Sequence, residues 1–359
     1  MAIEFHPLRI AEVRRETPDA VSIAFEVPLG LSDAYAFTPG QHLTLRTLFD
    51  GAECRRSYSI CSGMDDGELR IAVKRVEGGA FSSFANGSLK AGEAVDVMTP
   101  QGRFGLAPDS TSARTCLAVA AGSGITPIMA IARSVLANEP YSRFVLLYGN
   151  RTSQDIIFKE AIEDLKDRYL ERFTVHHVLS REQQELPILC GRLDAEKIAA
   201  LAGPVAADSI DHAFLCGPGG MISDGKAALT SLGVPAGRIH IEYFSTDGTP
   251  VAARASKAAQ HGAGEIPVAT AQITLAGSVH LLKLQRGETI IDAGIRHGLD
   301  MPYSCRGGMC CTCRAMLIDG EVRMDLNYSL EPWELEAGYV LTCQSHPVTD
   351  RVVVDYDQV

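Results

Sequence analysis

Cys305-Arg306-Gly307-Gly308-Met309-Cys310-Cys311-Thr312-Cys313 is the stretch on which the reading of this chain turns. With Cys343 it offers thiols in the pattern C-x4-C-x2-C, followed by a long gap to a fourth cysteine. That is a spacing of [2Fe–2S] ligands, with Cys305, Cys310, Cys313 and Cys343 as the metal-binding set. Two tetrahedral ferric ions bridged by two sulfides need four thiolates arriving from different directions. A tight loop supplies three, and the fourth comes from a distant segment. Gly307 and Gly308 permit the dihedrals that wrap backbone around such a cluster and turn N–H groups toward sulfur. Cys311 falls outside the spacing and is expected to point away from the irons. The competing readings are free buried cysteines or a zinc site, though zinc usually takes two C-x2-C pairs and this loop has one.

The surroundings favour metal ligation over disulfides. Residues 1–7 hold no basic segment leading into an apolar stretch, so no secretory signal and a cytoplasmic location are expected. No apolar run reaches the roughly 18 residues of a membrane span. The formal charge of −11 argues against nucleic acid as a partner. The stretch 269–359, with 12 acidic and 7 basic residues, leaves room for a partner protein with a basic docking face.

Outward from the cysteines, the pattern predicts a multidomain chain. Within 269–359, residues 271–275 and 279–284 read as a hairpin, 289–297 as a short helix, and 313–318 and 351–355 as strands. This suggests a β-grasp-like α+β domain. Residues 246–268 are small and polar without periodicity, and read as a linker. In 111–245, apolar runs at 116–121, 144–148, 173–179 and 213–216 alternate with helical stretches at 126–137, 155–169 and 219–232. That alternation predicts an α/β domain with a parallel sheet. In 1–110, short alternating segments such as 21–27 and 69–73, punctuated by turns, predict an antiparallel β-barrel.

Each region carries candidate binding residues. Arg56, Tyr58 and Ser59 supply a cation for phosphate, an aromatic plane for an isoalloxazine and a hydroxyl for its N5. Gly79 and Ser82 fall where a helix start could meet a pyrophosphate. Gly122, Gly124, Thr126 and Pro127 follow a strand and open a helix, which suits a nucleotide pyrophosphate, although this is not the G-x-G-x-x-G fingerprint. Cys216, Gly217 and Pro218 form a second strand-to-helix loop. Ser180 and Arg181 follow another strand, where the arginine could meet a 2′-phosphate and select NADPH, with NADH possible. Glu242 ends the region.

The cysteine loop, with flanking Pro302-Tyr303-Ser304 and the segment 338–343, resembles plant-type ferredoxins. The R-x-Y-S and G-x-x-S elements and both strand-to-helix loops resemble the ferredoxin–NADP reductase superfamily. Val73 and Lys74 match that family's flavin-lining segment. The resemblance implies FAD, with Ser59 near flavin N5 and Tyr58 shielding the ring. It also implies catalytic roles near the nicotinamide and flavin for Cys216 and Glu242. NADPH releases hydride and a cluster accepts one electron, so the flavin must stand between them.

The whole-chain order, including 325–330 and 336–341, is similar to the reductase subunits of bacterial phenylacetyl-CoA epoxidase systems. It implies electron delivery to a di-iron oxygenase in aerobic phenylacetyl-CoA degradation. The alternatives are a reductase for another aromatic oxygenase or hydroxylase, such as a Rieske-type dioxygenase, a non-enzymatic ferredoxin-type carrier, or a zinc-stabilised binding protein.

Overall fold

Six short strands form the first barrel: β1 (Phe5–Thr17), β2 (Ala20–Glu26), β3 (His42–Phe49), β4 (Ala52–Ser59), β5 (Leu69–Lys74) and β6 (Ala94–Met98). They pair antiparallel in the order β4-β3-β6-β1-β2-β5, and a bridge between Ile60 and Ile71 joins the two edges. The inward residues Leu8, Ile23, Leu43, Leu45, Ile71 and Val97 are fully buried, each contributing about 1.5–3 kcal/mol. Helix α1 (Ala80–Gly87) adds Phe81 and Ala85 to that core. The structure is a computed structural model that describes residues 4–205, 210–245 and 269–358. The expected linker, 246–268, lies outside the described residues.

The second sheet is wholly parallel. Its elements are β7 (Thr115–Ala121), α2 (Ile125–Asn138), β8 (Arg143–Asn150), α3 (Lys159–Arg168), β9 (Phe173–Leu179), α4 (Ala195–Ala202), β10 (Ile210–Pro218), α5 (Gly219–Ser231) and β11 (Ile239–Ser245). The strand order is β11-β10-β7-β8-β9, so the chain starts at the centre, runs to one edge and returns to the other side. The direction reverses between β7 and β10. Their carboxyl ends therefore diverge into a crevice, where such sheets bind ligands. The helix expected over 155–169 starts later, because Thr152 and Asp155 close a separate 3-10 turn with a capping box. Phe158 then takes a left-handed φ of 61° before α3 begins.

Barrel and parallel sheet share a core in which Ala20, Ala72 and Phe104 pack with Cys116, Ile125 and Phe214. Arg133 pairs with Asp66 at 2.5 Å, and Ser134 Oγ accepts from the Met64 N–H at 3.0 Å. The described residues between Glu4 and Ser245 accordingly form one compact unit.

The described C-terminal residues belong to a second unit. It contains β12 (Ala269–Leu275), β13 (Ser278–Leu284), α6 (Ile290–Arg296), β14 (Arg314–Asp319), β15 (Val322–Met324), α7 (Pro332–Glu336), β16 (Tyr339–Leu341), β17 (Ser345–Pro347) and β18 (Arg351–Asp355). In the order β13-β12-β18-β14-β16, the first and last strands pair parallel at the centre, and every other pairing is antiparallel. Ile290, Ile291 and Ala293 of α6 pack with Ala271, Leu282 and Val352, which gives a β-grasp-like α+β layer. Among the described residues, no helix is long and apolar enough to cross a membrane.

Candidate redox centres

The cluster loop leaves α6 and enters β14. Its thiols form two hydrogen-bonding pairs, Cys305 with Cys310 and Cys313 with Cys343. The N–H groups of Gly307 and Met309 donate to Cys305 Sγ at 3.3 and 3.4 Å, and the Cys305 N–H donates to Cys310 Sγ at 3.5 Å. Hydrogen bonding to Cys310, then burial, raises the Cys305 thiol well above its ordinary range. Donation to Cys343, then burial, does the same to Cys313, while Cys343 is lowered as the acceptor. Two pairs of sulfurs met by backbone N–H groups fit a two-iron cluster, in which each iron takes two thiolates.

Cys311 joins neither pair. It has a left-handed φ of 53°, and its Sγ donates to the Ser329 carbonyl at 3.4 Å. Gly308 has φ of 74°, and a Cβ there would stand 2.8 Å from the Leu326 carbonyl oxygen. Gln344 escaped the sequence reading. Its Nε2 donates to the Arg306 carbonyl at 2.8 Å and lies 3.7 Å from Cys343 Sγ. Adjacency to Cys343 was its only signal.

On the barrel, Arg56 is exposed near the end of β4, and Tyr58 is half-buried two residues on. The Tyr58 ring lies 5.5 Å from Phe81, and burial pushes its phenol pKa up. Ser59 is buried. The Val73 side chain lies in the barrel core, so only its backbone can face a ligand, and its carbonyl accepts from Asn86 Nδ2 at 3.1 Å. Lys74 Nζ sits 3.5 Å from the Asp19 carboxylate and 3.9 Å from where a Cβ on Gly122 would stand, so the barrel reaches the loop after β7.

Gly79 precedes α1, which opens without a side-chain cap and leaves first-turn N–H groups for a phosphate. Ser82 Oγ accepts from the Val76 N–H at 3.1 Å and donates to the Gly79 carbonyl at 3.2 Å. A Cβ on Gly79 would come within 2.5 Å of that hydroxyl. A cation, an aromatic plane, a hydroxyl and a glycine turn at a helix start are the donor set a flavin dinucleotide needs.

The loops after β7 and β10 meet at the crevice. A Cβ on Gly124 would lie 2.1 Å from the Cys216 carbonyl oxygen, and one on Gly217 would lie 3.2 Å from the Ala121 nitrogen. Gly122 has φ of 53°, and its carbonyl accepts from the Tyr148 hydroxyl at 2.9 Å. Thr126 Oγ1 donates to the Ser123 carbonyl at 3.0 Å, and Pro127 sits in the first turn of α2. Pro218 is exposed at the start of α5.

Cys216 is 0% exposed, and burial, then the charge of Glu242, raises its thiol well above the ordinary range. At this strand end Cys216 offers its carbonyl against Gly124 rather than a reactive thiolate. Glu242, half-buried, stands beside it in the β10–β11 register. Ser180 and Arg181 are exposed beyond β9, with their N–H groups bonded to the carbonyls of Asn150 and Arg151 at 2.9 and 2.8 Å. This brings exposed Arg151 beside Arg181, a neighbour that only the β8–β9 pairing reveals.

Three family descriptions match in chain order. They are an oxidoreductase FAD-binding domain over 7–105, an oxidoreductase NAD-binding domain over 118–226 and a 2Fe-2S iron–sulfur cluster binding domain over 273–348. The chain is 46% identical to a component of the 1,2-phenylacetyl-CoA epoxidase of Escherichia coli strain K12, over 98% of each chain. It belongs to the ferredoxin–NADP reductase superfamily, in the branch ending in a [2Fe–2S] domain.

The reductase is also 40% identical to the ferredoxin reductase component of 3-ketosteroid-9-alpha-monooxygenase from Mycolicibacterium smegmatis, covering 98% of this chain and 97% of that one. It shares the fold of phthalate dioxygenase reductase, with a TM-score of 0.59 over 98% of each chain at 23% identity. It is an NAD(P)H-dependent flavin and iron–sulfur oxidoreductase.

Proposed function

We propose that this reductase takes hydride from NADPH and delivers single electrons to the di-iron oxygenase component of a cytoplasmic phenylacetyl-CoA epoxidation system. The observation that carries this reading is the likeness to the Escherichia coli epoxidase component, which runs through all three regions of the chain. FAD supplies the conversion of a two-electron hydride into single electrons that a [2Fe–2S] cluster accepts. The proposed domain boundaries are 1–110, 111–245 and 269–359, with 246–268 as linker.

Arg56 takes a flavin phosphate, Tyr58 covers the ring, and the Ser59 hydroxyl serves N5. The Val73 backbone, Lys74, Gly79 and Ser82 complete the FAD site. Gly122, Gly124, Thr126, Pro127, Gly217 and Pro218 receive the nicotinamide nucleotide through close backbone approach. Cys216 walls the nicotinamide end, and Glu242 balances charge beside it. Ser180 and Arg181 meet the 2′-phosphate, aided by Arg151, whose position beside Arg181 supports NADPH over NADH. Cys305, Cys310, Cys313 and Cys343 hold the cluster.

A steroid-oxidising monooxygenase partner is the second reading, favoured by the relative from Mycolicibacterium smegmatis. The test combines the purified chain with NADPH, a phenylacetyl-CoA epoxidase di-iron component and phenylacetyl-CoA. Epoxide formation is expected. Electron delivery to a 3-ketosteroid monooxygenase instead would overturn the assignment. Arg181→Ala should raise the KM for NADPH about tenfold relative to that for NADH, and an equal rise for both would remove the phosphate role.

A further inference from the structure

Helix α7 carries the only tryptophan of the chain. Trp333 is 55% exposed, and Leu335, two residues on, is 43% exposed. Glu334, between them, turns the other way. It is 1% exposed and forms a buried ion pair with Arg314, the residue that follows the cluster ligand Cys313. The Arg314 guanidinium lies over the Tyr339 ring at 4.3 Å. A capping box between Glu331 and Glu334 closes the start of the helix. Rotating α7 to bury Trp333 would pull Glu334 away from Arg314 and strand a buried charge, which is strongly unfavourable.

The segment leading into α7 is fastened to the cluster loop. The Tyr328 N–H and Ser329 Oγ donate to the Gly308 carbonyl at 3.0 and 3.1 Å. The helix that carries the exposed indole is therefore tied to the cluster loop. The exposed carboxylates of Glu331 and Glu336 flank it, in a region that carries 12 acidic against 7 basic residues.

We propose that Trp333 and Leu335 form the apolar centre, and Glu331 and Glu336 the acidic rim, of the surface that docks the external electron acceptor. This rests on the proposed function and deepens it. The occupant is an oxygenase component that presents an apolar recess rimmed by lysine and arginine. A fixed aromatic at the centre of a polar rim is the usual composition of a binding hot spot. A helix already tied to the domain by the Glu334–Arg314 pair loses little freedom on docking. Opposite charges at the rim steer the encounter and fix its register.

The test uses the full-length holoprotein with Trp333→Ala and Trp333→Phe. Ferricyanide turnover and the rate of cluster reduction by NADPH, followed anaerobically, should match wild type in both. In Trp333→Ala the KM for the di-iron component should rise about tenfold or more, with kcat held, and Trp333→Phe should fall between. The emission difference between wild type and Trp333→Phe, each mixed with the oxygenase component, isolates the indole of this chain, and that difference spectrum should shift to the blue on mixing. An unchanged KM overturns the proposal. Slowed internal cluster reduction also overturns it, because the indole would then serve a contact within the chain.

Cytochrome c, a basic haem protein, separates this outcome from failure of the partner assignment. If the di-iron component takes no electrons from wild type, that assignment falls. The docking surface is then judged by the KM for cytochrome c, which rises in Trp333→Ala if the proposal stands and is unchanged if it does not.

Discussion

At the cluster loop, the proposed ligands Cys305, Cys310, Cys313 and Cys343 offer sulfur, and the N–H groups of Gly307 and Met309 donate to Cys305 Sγ. At the nucleotide crevice, Gly124 and Gly217 supply no side chain at all, only the closeness of two strand ends. The first site depends on which residues are present. The second depends on where a Cβ is missing and on the order of strands in a sheet. Loss of a ligand should therefore empty the first site without unfolding the rest of the chain. An added methyl should disrupt the second by displacing backbone.

The largest effect is expected for Cys310→Ser and Cys343→Ser. Cytochrome c reduction should fall roughly 100-fold or more, iron content should drop, and flavin-linked ferricyanide reduction should survive. Cys311→Ser should retain its iron, and loss of iron there would erase the distinction drawn between the paired thiols and the spare one. Next comes Gly124→Ala, whose methyl has no room beside the Cys216 carbonyl. It should cost about 3 kcal/mol or more in urea unfolding and abolish tight NADPH binding. Gly220→Ala, with nothing within 4 Å of the added carbon, is the control and should behave as wild type.

A smaller effect follows from acid. The His212 and His240 rings share a hydrogen bond at 3.0 Å between β10 and β11. Burial, then His212, holds His240 down to about 4, and burial, then Lys159, holds His177 at about 4. Both lie below the unfolded value of about 6.5. Their stabilising contribution is complete above that value and is lost as pH falls from about 6.5 toward 4. Each should cost about 1 kcal/mol after allowance for solvent screening. Urea midpoints at pH 7.5 and 5.0 measure the loss, and His240→Gln should shrink it. Last, Gly79→Ala should lower FAD occupancy a few-fold by displacing the Ser82 hydroxyl, about 1 kcal/mol of binding. Unchanged flavin content would detach that turn from the cofactor.

Elements with their own local pattern were legible in the sequence. The strands over 116–121 and 173–179 and the helix over 219–232 each bury a continuous or periodic apolar face, and the observed β7, β9 and α5 follow them closely. Helix α4, eight residues with Ile198 and Leu201 as its only large apolar side chains, has too short a stripe to stand out. The brief β15 and β17 pair only with each other and need the fold to exist first. Barrel closure through Ile60 and Ile71, and the meeting of Arg151 with Arg181, are products of register between strands. Cys216 reads as reactive beside a glycine loop, but its burial depends on how α2 and the sheet pack around it. The 2Fe-2S domain was legible from C-x4-C-x2-C, because one tight loop must present three thiols at short offsets while the fourth comes from a distant segment.

Cys343 brings the end of β16 back to the loop that holds its partner thiols, so a cluster on the four proposed ligands would stitch the two ends of that intervening segment together. Unravelling the C-terminal domain means tearing that seam. Bleaching of the brown chromophore then serves as a built-in gauge of domain integrity, readable by eye in a cuvette long before activity is assayed.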